Sequence, residues 1–452
     1  MADDQEPNRT FLQTAINQIT GQADLYTIFE DFYKGKHPLN YASDKFKQKF
    51  GKRLQTLKDN MCKTVVKAPS SRLEVIGFNS DSSEIQDRAW KIWKRNLMPL
   101  RAKEIHRQAF KAGDAYAVVW YDPADDKKAR IYPQKTSESI AVWQSEETGE
   151  TEMAAKVWKG IDQKLYVTLY FPDRIEKWIS KNEISSGAEI TNAEDFEPRA
   201  VPGEAFPLEH DLGVVPVFHF SAGESLLTDA IPLQSGLNKA LADLFVGMEF
   251  NSLRQRWTTG ISYPIDEETG RPLVPFEVDE QWATTKSDIA KFGEFTDMDL
   301  NQTIAVMKDL REAIARSTGT PLHYLQLTGG QFPSGEALEK AEAPLTETVS
   351  DAQVAFGESW SRLMACCMKI ETDEDLEIET KWKDAQSTGE KTQLENGILK
   401  KQLGWSDAQI QRDFGIAETE ITKMAGEVKK QTSSIGAALG TAFDQGNIGD
   451  IG

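Results

Sequence analysis

The sequence predicts an α+β fold, and two changes of period carry that prediction. Before residue 112 and after residue 231, apolar residues recur every three or four positions through long segments, the spacing of amphipathic helices. Between residues 115 and 180 the period drops towards two, in short β-branched and aromatic runs separated by Asp-Pro, Thr-Gly and Gly-Ile-Asp turn signals. The 452 residues suffice for a sizeable core in two or three structural units, and 39% hydrophobic with 27% charged residues is ordinary soluble-globular composition.

In chain order, residues 8–34 and 43–67 read as helices. Phe46, Phe50, Leu54, Leu57, Met61 and Val65 line one face of the second. Lys34 to Lys67 holds ten Lys/Arg against two acids, which fits a solvated helix face or contact with nucleic acid or an acidic partner. Residues 84–112 read as a further helix. An antiparallel meander of five or six strands follows, with Trp120, Trp143, Trp158 and Trp178 as core and strand-pair residues. Residues 183–212 read as a polar surface excursion, and "GVVPVFHF" as a buried strand.

From Pro232 a helix of about 40 Å carries Leu233, Leu237, Leu241, Leu244 and Met248 in a stripe. Pro, Gly and extended runs over 261–297 interrupt it, and Ile304, Met307, Leu310 and Ile314 mark a second helix. "TGTPLHYLQLTGGQFPSGEAL" then links to a long helix with Leu338, Ala341, Leu345, Val349, Ala352, Phe356, Trp360, Leu363 and Cys367 in register. Pro344 is expected to kink it, Ser334 to cap it, and Glu336 to complement its dipole. Residues 385–429 read as a small helical hairpin with Gly404 as a stop and Ser406 as a cap. The Gly-rich end is expected to be disordered.

Chemistry is hard to find. Gly330 to Gly335 has the spacing of a phosphate loop, but Glu336 stands where lysine is required, and the stretch does not follow a buried strand. No GxSxG, HExxH or zinc spacing occurs. Cys366 and Cys367 fit a small-residue helix packing surface. Asp266, Glu267 and Glu268, like Glu371 to Asp375, read as solvated acidic loops. No catalytic, cofactor or metal site is expected, and no membrane span. The polar, acidic N-terminus lacks signal-peptide character and implies a cytoplasmic origin. A net charge of −19 opposes non-specific coating of DNA, yet suits a surface past which DNA must slide.

The order of helices, meander, long helix, compact insertion, second helix, Gly-rich loop and long helix resembles the phage portal protein family. That family forms the ring at one capsid vertex through which DNA is packaged and ejected. "YKGKHPLNY", "RLEVIGF", "LYFPDRIEKW", "HDLGVVPVFHF", "LNKALADLFVGMEFNSLRQRWTTGI", "KFGEF", "GTPLHYL" and "SGEALEKAEAPL" are similar to portals of tailed phages of actinobacteria, of the Gp6-like group.

The resemblance implies a portal fold: a mixed α/β wing over 1–231, stem helices over 232–260 and 298–319, and a small α/β clip over 261–297. It further implies a tunnel loop over 320–335, a long wing helix over 336–384, a helical crown over 385–430 and a tail from 431. The implied assembly is a homo-oligomeric ring of twelve, without enzymatic activity. Its implied partners are double-stranded DNA bound non-specifically, major capsid protein, scaffolding protein, terminase and a head–tail adaptor. Lys308, Arg311, Arg316, Gln326, Thr328, Gly329, Gly330 and Gln331 are the candidates to face DNA, with inter-subunit salt bridging the alternative for the three basic residues. Asp266, Glu267, Glu268 and Arg271 are the candidates for the clip's partner surface. The competing assignment is a capsid-associated scaffold or head–tail adaptor without a DNA channel.

Overall fold

The computed structural model describes residues 6–38, 40–48, 59–134, 139–183, 192–199, 201–252, 256–260, 266–270, 288–326, 335–386, 397–413 and 424. It is mixed helix and sheet. Helix α1 (Glu6–Tyr33) lies close to its expected bounds. The helix expected over 43–67 is interrupted. A helical turn covers 44–48, and α2 (Met61–Ser70) starts afresh after Asn60, whose side chain accepts from the Lys63 amide at 3.2 Å. Asn is a preferred N-cap, and this local bond outweighs the apolar periodicity running through it. Phe50, Leu54 and Leu57 lie outside the described residues, whereas Met61 and Val65 are buried as their spacing predicts.

After strand β1 (Val75–Asn79) the single helix expected over 84–112 is two, α3 (Ser83–Arg95) and α4 (Met98–Ala112). Leu97 between them takes a left-handed φ of 55°. Pro99 suits only a first turn. Buried Asn96 fixes the break by donating to the carbonyls of Ile92 and Ala129 and accepting from the Ile131 amide at 3.0 Å.

The expected meander is two sheets. Strands β2 (Asp114–Asp122) and β3 (Asp125–Pro133) form a hairpin, and β10 (Val217–Ser221) returns to the free side of β2, giving the order β10-β2-β3. A second sheet runs β4 (Ile140–Gln144), β5 (Thr151–Lys159), β6 (Leu165–Tyr170), β7 (Arg174–Ser180) and β8 (Phe196–Pro198). Strand β9 (Leu208–Glu209) also pairs with β7. Part of the expected excursion over 183–212 therefore belongs to this sheet.

Strand alternation sorts the core. Ala115, Ala117 and Val119 of β2 enter the main cluster, while Tyr116 and Val118 pack with Ile140, Ala154, Val215 and Val217 between the sheets. The far face of the second sheet receives Leu12, Ala15, Ile16 and Ile19 of α1. Tyr26, Phe29 and Phe32, further along the same helix, enter the main cluster, so α1 straps the two units together.

Helix α5 (Leu227–Ser252) begins before Pro232, after Ser225, whose hydroxyl accepts from the Leu227 amide at 3.0 Å. It ends earlier than expected, and residues 256–259 instead form β11 (Arg256–Thr259), antiparallel to β12 (Lys291–Glu294). Helices α6 (Leu300–Ser317) and α7 (Leu322–Leu325) follow. Helix α8 (Gly335–Thr372) is 38 residues long and continuous through Pro344. Its predicted stripe from Leu345 to Cys367 is buried against α3, α4 and the three-stranded sheet. Cys366 and Cys367 are packed within it, and burial pushes the Cys366 thiol up to about 12. Strand β13 (Glu379–Trp382) pairs with β1, joining distant parts of the chain. Near the end, residues 397–402 are helical, Gly404 takes a φ of 92°, and Ser406 accepts from the Gln409 amide ahead of α9 (Asp407–Asp413). Ser334, the expected cap of α8, lies outside the described residues, while Glu336 stands in the helix's first turn.

Two outcomes follow from the core around Trp360, which donates to His106 Nε2 at 2.9 Å. Trp360→Ala removes the largest side chain of the α8 stripe and should cost about 3–5 kcal/mol in urea unfolding. Burial pushes the His106 imidazole down to about 3, and protonation at Nε2 would also abolish its acceptance from Trp360. Between pH 6.5 and about 3 the unfolded chain therefore binds a proton that the folded chain refuses, so stability falls as pH is lowered through that window. His106→Gln should flatten that part of the thermal-melting profile.

Candidate functional site

The helix pair α5 and α6, with the segment that follows α6, carries most of the candidate residues. Leu237 of α5 packs on Met307, Ile314 and Ala315 of α6, with Met61 and Val65 of α2 beneath. The base of this pair is fixed by polar groups. Gln234, fully buried on the apolar stripe of α5, accepts from the Met61 amide at 2.8 Å and donates to the Asp59 carbonyl at 2.6 Å and to Asn238 Oδ1 at 3.0 Å. Asn238 Nδ2 donates to His37 Nδ1 at 2.7 Å, and His37 Nε2 donates to the Phe32 carbonyl at 2.8 Å. This chain requires neutral His37, protonated on Nε2. The network is absent from the sequence reading. Its one visible signal is Gln234 and Asn238, two amides four residues apart among the leucines of α5.

The three basic candidates on α6 have different surroundings. Arg311 turns towards the body of the chain, its guanidinium donating twice to Asp59 Oδ2 at 2.6 and 3.2 Å. Lys308 lies 3.8 Å from Glu312 one turn along the exposed face. Arg316 is exposed and makes no ion pair among the described residues. Asp59, 252 positions from Arg311, gave no local signal.

The segment after α6 starts earlier than Thr320-Pro321. Thr318 caps the Ile314 carbonyl at 2.7 Å, and Gly319 takes a φ of 62°, a conformation open chiefly to glycine. The two sides of 327–334 are held together by Arg72, which donates to Tyr324 Oη at 3.1 Å and to Glu342 at 2.8 Å. Glu342 also lies 3.4 Å from His323. Gln326 ends α7, and its Oε1 is buried without a hydrogen-bond partner among the described residues. Thr328, Gly329, Gly330 and Gln331 lie outside the described residues.

At the other end of the helix pair, Asp266, Glu267 and Glu268 form an exposed turn. The amides of Glu268 and Thr269 donate to Asp266 and hold its carboxyl below the usual range. Arg271 lies outside the described residues. Among the described residues no group of His, Cys, Asp and Glu is arranged to hold a metal ion. No described helix is long and apolar enough to cross a membrane.

Comparison with protein families matches residues 12–431 to the phage portal proteins of the SPP1 Gp6-like type. The chain belongs to the phage portal protein family. Portal proteins are structural components of the virion, placed at one vertex of the capsid. No curated protein matches the chain. Among solved structures, the chain is similar to a protein of the virion of a native gene transfer agent particle, at 11% identity and a TM-score of 0.42, over 78% of this chain and 89% of that one. It is also similar to one in the neck of a native gene transfer agent particle, computed with C12 symmetry, at 11% identity and a TM-score of 0.43, over 82% and 92%. The family match, in sequence order and nearly end to end, supports the resemblance drawn from the sequence alone.

The two kinds of arginine on α6 separate experimentally. Arg311→Ala leaves Asp59 without its partner at the foot of the helix pair and should cost about 1–3 kcal/mol in urea unfolding. Arg316→Ala should stay within about 0.5 kcal/mol of the parent. An equal loss in both would refute an intramolecular role for Arg311.

Proposed function

We propose that this portal protein assembles into a ring of twelve, whose axial channel carries double-stranded DNA into and out of the capsid. The single observation that carries the ring is the helix pair. Phe245, Met248 and Phe250 of α5 and Ile304 and Val306 of α6 are exposed in the isolated chain, 42–52% each. Soluble monomers rarely leave so many large apolar groups together in solvent, and neighbouring copies would bury them.

In this reading α5 and α6 form the stem beside the channel, and the unit of β11, β12 and the Asp266–Glu268 turn forms the clip that meets terminase and later the head–tail adaptor. Residues 1–231 with α8 form the wing, the 320–335 segment the tunnel loop, and 385–430 the crown, with capsid and scaffolding proteins around them. Assembly takes place in the host cytoplasm. The chain does no catalysis of its own, and DNA movement draws on a separate motor. An acidic wall lets the duplex slide, because repulsion of phosphates offers few sticking points. Lys308 and Arg316 supply spaced, weak phosphate contacts. Arg311, engaged with Asp59, stiffens the stem instead.

Native mass measurement with negative-stain imaging of the purified chain is the decisive test. A ring with an axial hole is the expected result. A persistent monomer, or an assembly without a hole, would favour a scaffold or adaptor. Deleting residues 328–332 should spare the ring and impair genome packaging or retention. Normal packaging and retention in that deletion would remove the tunnel-loop assignment.

A further inference from the structure

The second sheet carries a row of side chains in which two cations, Lys156 and Arg199, lie over aromatic rings. Its register places Ile140, Lys156, Thr168 and Lys177 in one row across β4 to β7. The Arg199 amide donates to the Lys177 carbonyl at 2.8 Å, which extends this row past β8. From Lys156 to Arg199 is three inter-strand steps, about 14 Å. The neighbouring row holds Trp158, Tyr166 and Ile179. Trp158 and Tyr166 stack at 5.4 Å and 13°, with Lys156 Nζ 5.5 Å from the Trp158 ring and the Arg199 guanidinium 4.8 Å from the Tyr166 ring.

Lys177 is paired with Glu204. Lys156 and Arg199 make no ion pair among the described residues. Lys156 is half-buried, and that burial holds its ammonium below the ordinary lysine value. Other described lysines and arginines also make no ion pair; what sets Lys156 apart is that it lies half-buried against the stacked rings. At the tip of the β5–β6 hairpin, past the end of β5, Ile161 is fully exposed. The hairpin is closed tightly there: a Cβ on Gly160 would come within 2.4 Å of the Tyr166 ring.

These features select the occupant. Base stacking needs open ring faces, but these rings already engage each other and two cations. A fully exposed isoleucine beside Trp, Tyr and Arg matches the composition of protein interfaces. The partner must also bring carboxylates, and this chain carries such a surface elsewhere. An open cleft of about 680 Å³ lies between α8 and the end of β1, and Asp81, Glu358, Glu377 and Glu379 line it. Glu358 is paired with Arg362, while Asp81, Glu377 and Glu379 are exposed. The β1–β13 pair sits on α8, where Ser361 bonds Thr380, and α8 in turn covers the three-stranded sheet. The second sheet lies beyond that sheet, and the basic row sits on the face that Ile140 and Ala154 turn towards it, a surface distinct from the acidic cleft.

We infer that the band of Lys156, Arg199 and Ile161 docks a second copy of this chain through that acidic cleft. The contact is heterologous, one surface of a copy meeting a different surface of the next, which is the geometry that closes into a ring. It deepens the ring reading above and rests on it.

Charge exchange tests it on the full chain, read by native mass measurement. K156E/R199E alone and E377K/E379K alone should each lose the ring. An equimolar mixture of the two should recover it with alternating composition, because each mismatched surface then meets its complement. Rings formed by K156E/R199E as readily as by the parent would overturn the inference, and so would loss in both variants without recovery on mixing. If K156E/R199E does not melt cooperatively, K156Q/R199Q replaces it, with a ring that falls apart at lower salt than the parent as the supporting result and unchanged salt tolerance as the opposing one. Binding of a fluorescent DNA duplex that K156E/R199E loses while keeping its ring would also overturn it, in favour of nucleic acid. A parent chain that forms no ring at all sinks the portal-ring reading itself, an outcome distinct from these.

Discussion

The indole of Trp360 donates to His106, meets Trp93 edge-on at 4.8 Å and lies 4.3 Å from the ring of Phe220. Those partners come from α4, α3 and β10, so one side chain of α8 touches three elements that are far apart in the chain. Helix α8 needs a continuous apolar surface along its buried length, and no local segment supplies one. Its stripe is covered only when β10 has returned to β2 and the break at Leu97 has turned α4 against α3. The opposite flank is closed by β13, where Thr380 donates to the Gly357 carbonyl at 3.0 Å. The position of the second sheet then follows, since it rests on the outer face of the three-stranded sheet that α8 holds from within.

The helix pair is oriented by a different kind of force. Apolar contact between α5, α6 and α2 favours proximity but tolerates sliding. Hydrogen bonds do not, because a buried donor left unpaired costs about 1–3 kcal/mol. Gln234 uses one end of its amide on the Asp59 carbonyl before α2 and the other on the Met61 amide at its start, and Asn238 passes the constraint to His37 beyond α1. Arg311 adds a charged contact from α6 to the same segment. Slippage of α5 by one residue would leave several of these groups unpaired at once. The pair therefore emerges from the body in one register.

What could be read from the sequence was what local spacing controls. The α8 stripe, the Gly404 stop, the Ser406 cap and the apolar faces of α5 and α6 all depend on residues within a few positions of one another. Misreadings cluster where a short polar side chain overrides the apolar period. Asn60 restarts a helix, Asn96 divides one, and Ser225 opens one ahead of a proline. The second limit is distance along the chain. Hairpin signals announced β4 to β7 but not the pairing of β10 with β2, which splits the expected meander into two sheets. Asp59 and Arg311 illustrate the same limit at the candidate site. Arg311 looked equivalent to Lys308 and Arg316 on one helix, and only a carboxylate 252 positions away distinguishes it.

Charge has to be weighed by location here, because the total of −19 describes no particular surface. Many cations are already spent within the chain: Arg72 on Glu342, Arg95 and Lys111 on Glu371 and Glu30, Arg174 on buried Glu176. Those pairs hold elements together and attract little from outside. Among the cations without a close partner, two sets differ in setting: Arg316 with weakly paired Lys308 on the exposed face of α6, and Lys156 with Arg199 on the second sheet. In the proposed ring each recurs once per subunit. A residue on α6 becomes a circle of weak positive points on an acidic wall, which can touch phosphates without holding them. A sheltered cation on the second sheet faces the opposite requirement. Half-desolvated Lys156 gains from a carboxylate that arrives once and stays, because water already shields its charge incompletely. One residue type thus suits a moving partner in the open and a fixed partner in a recess, and its solvation decides which.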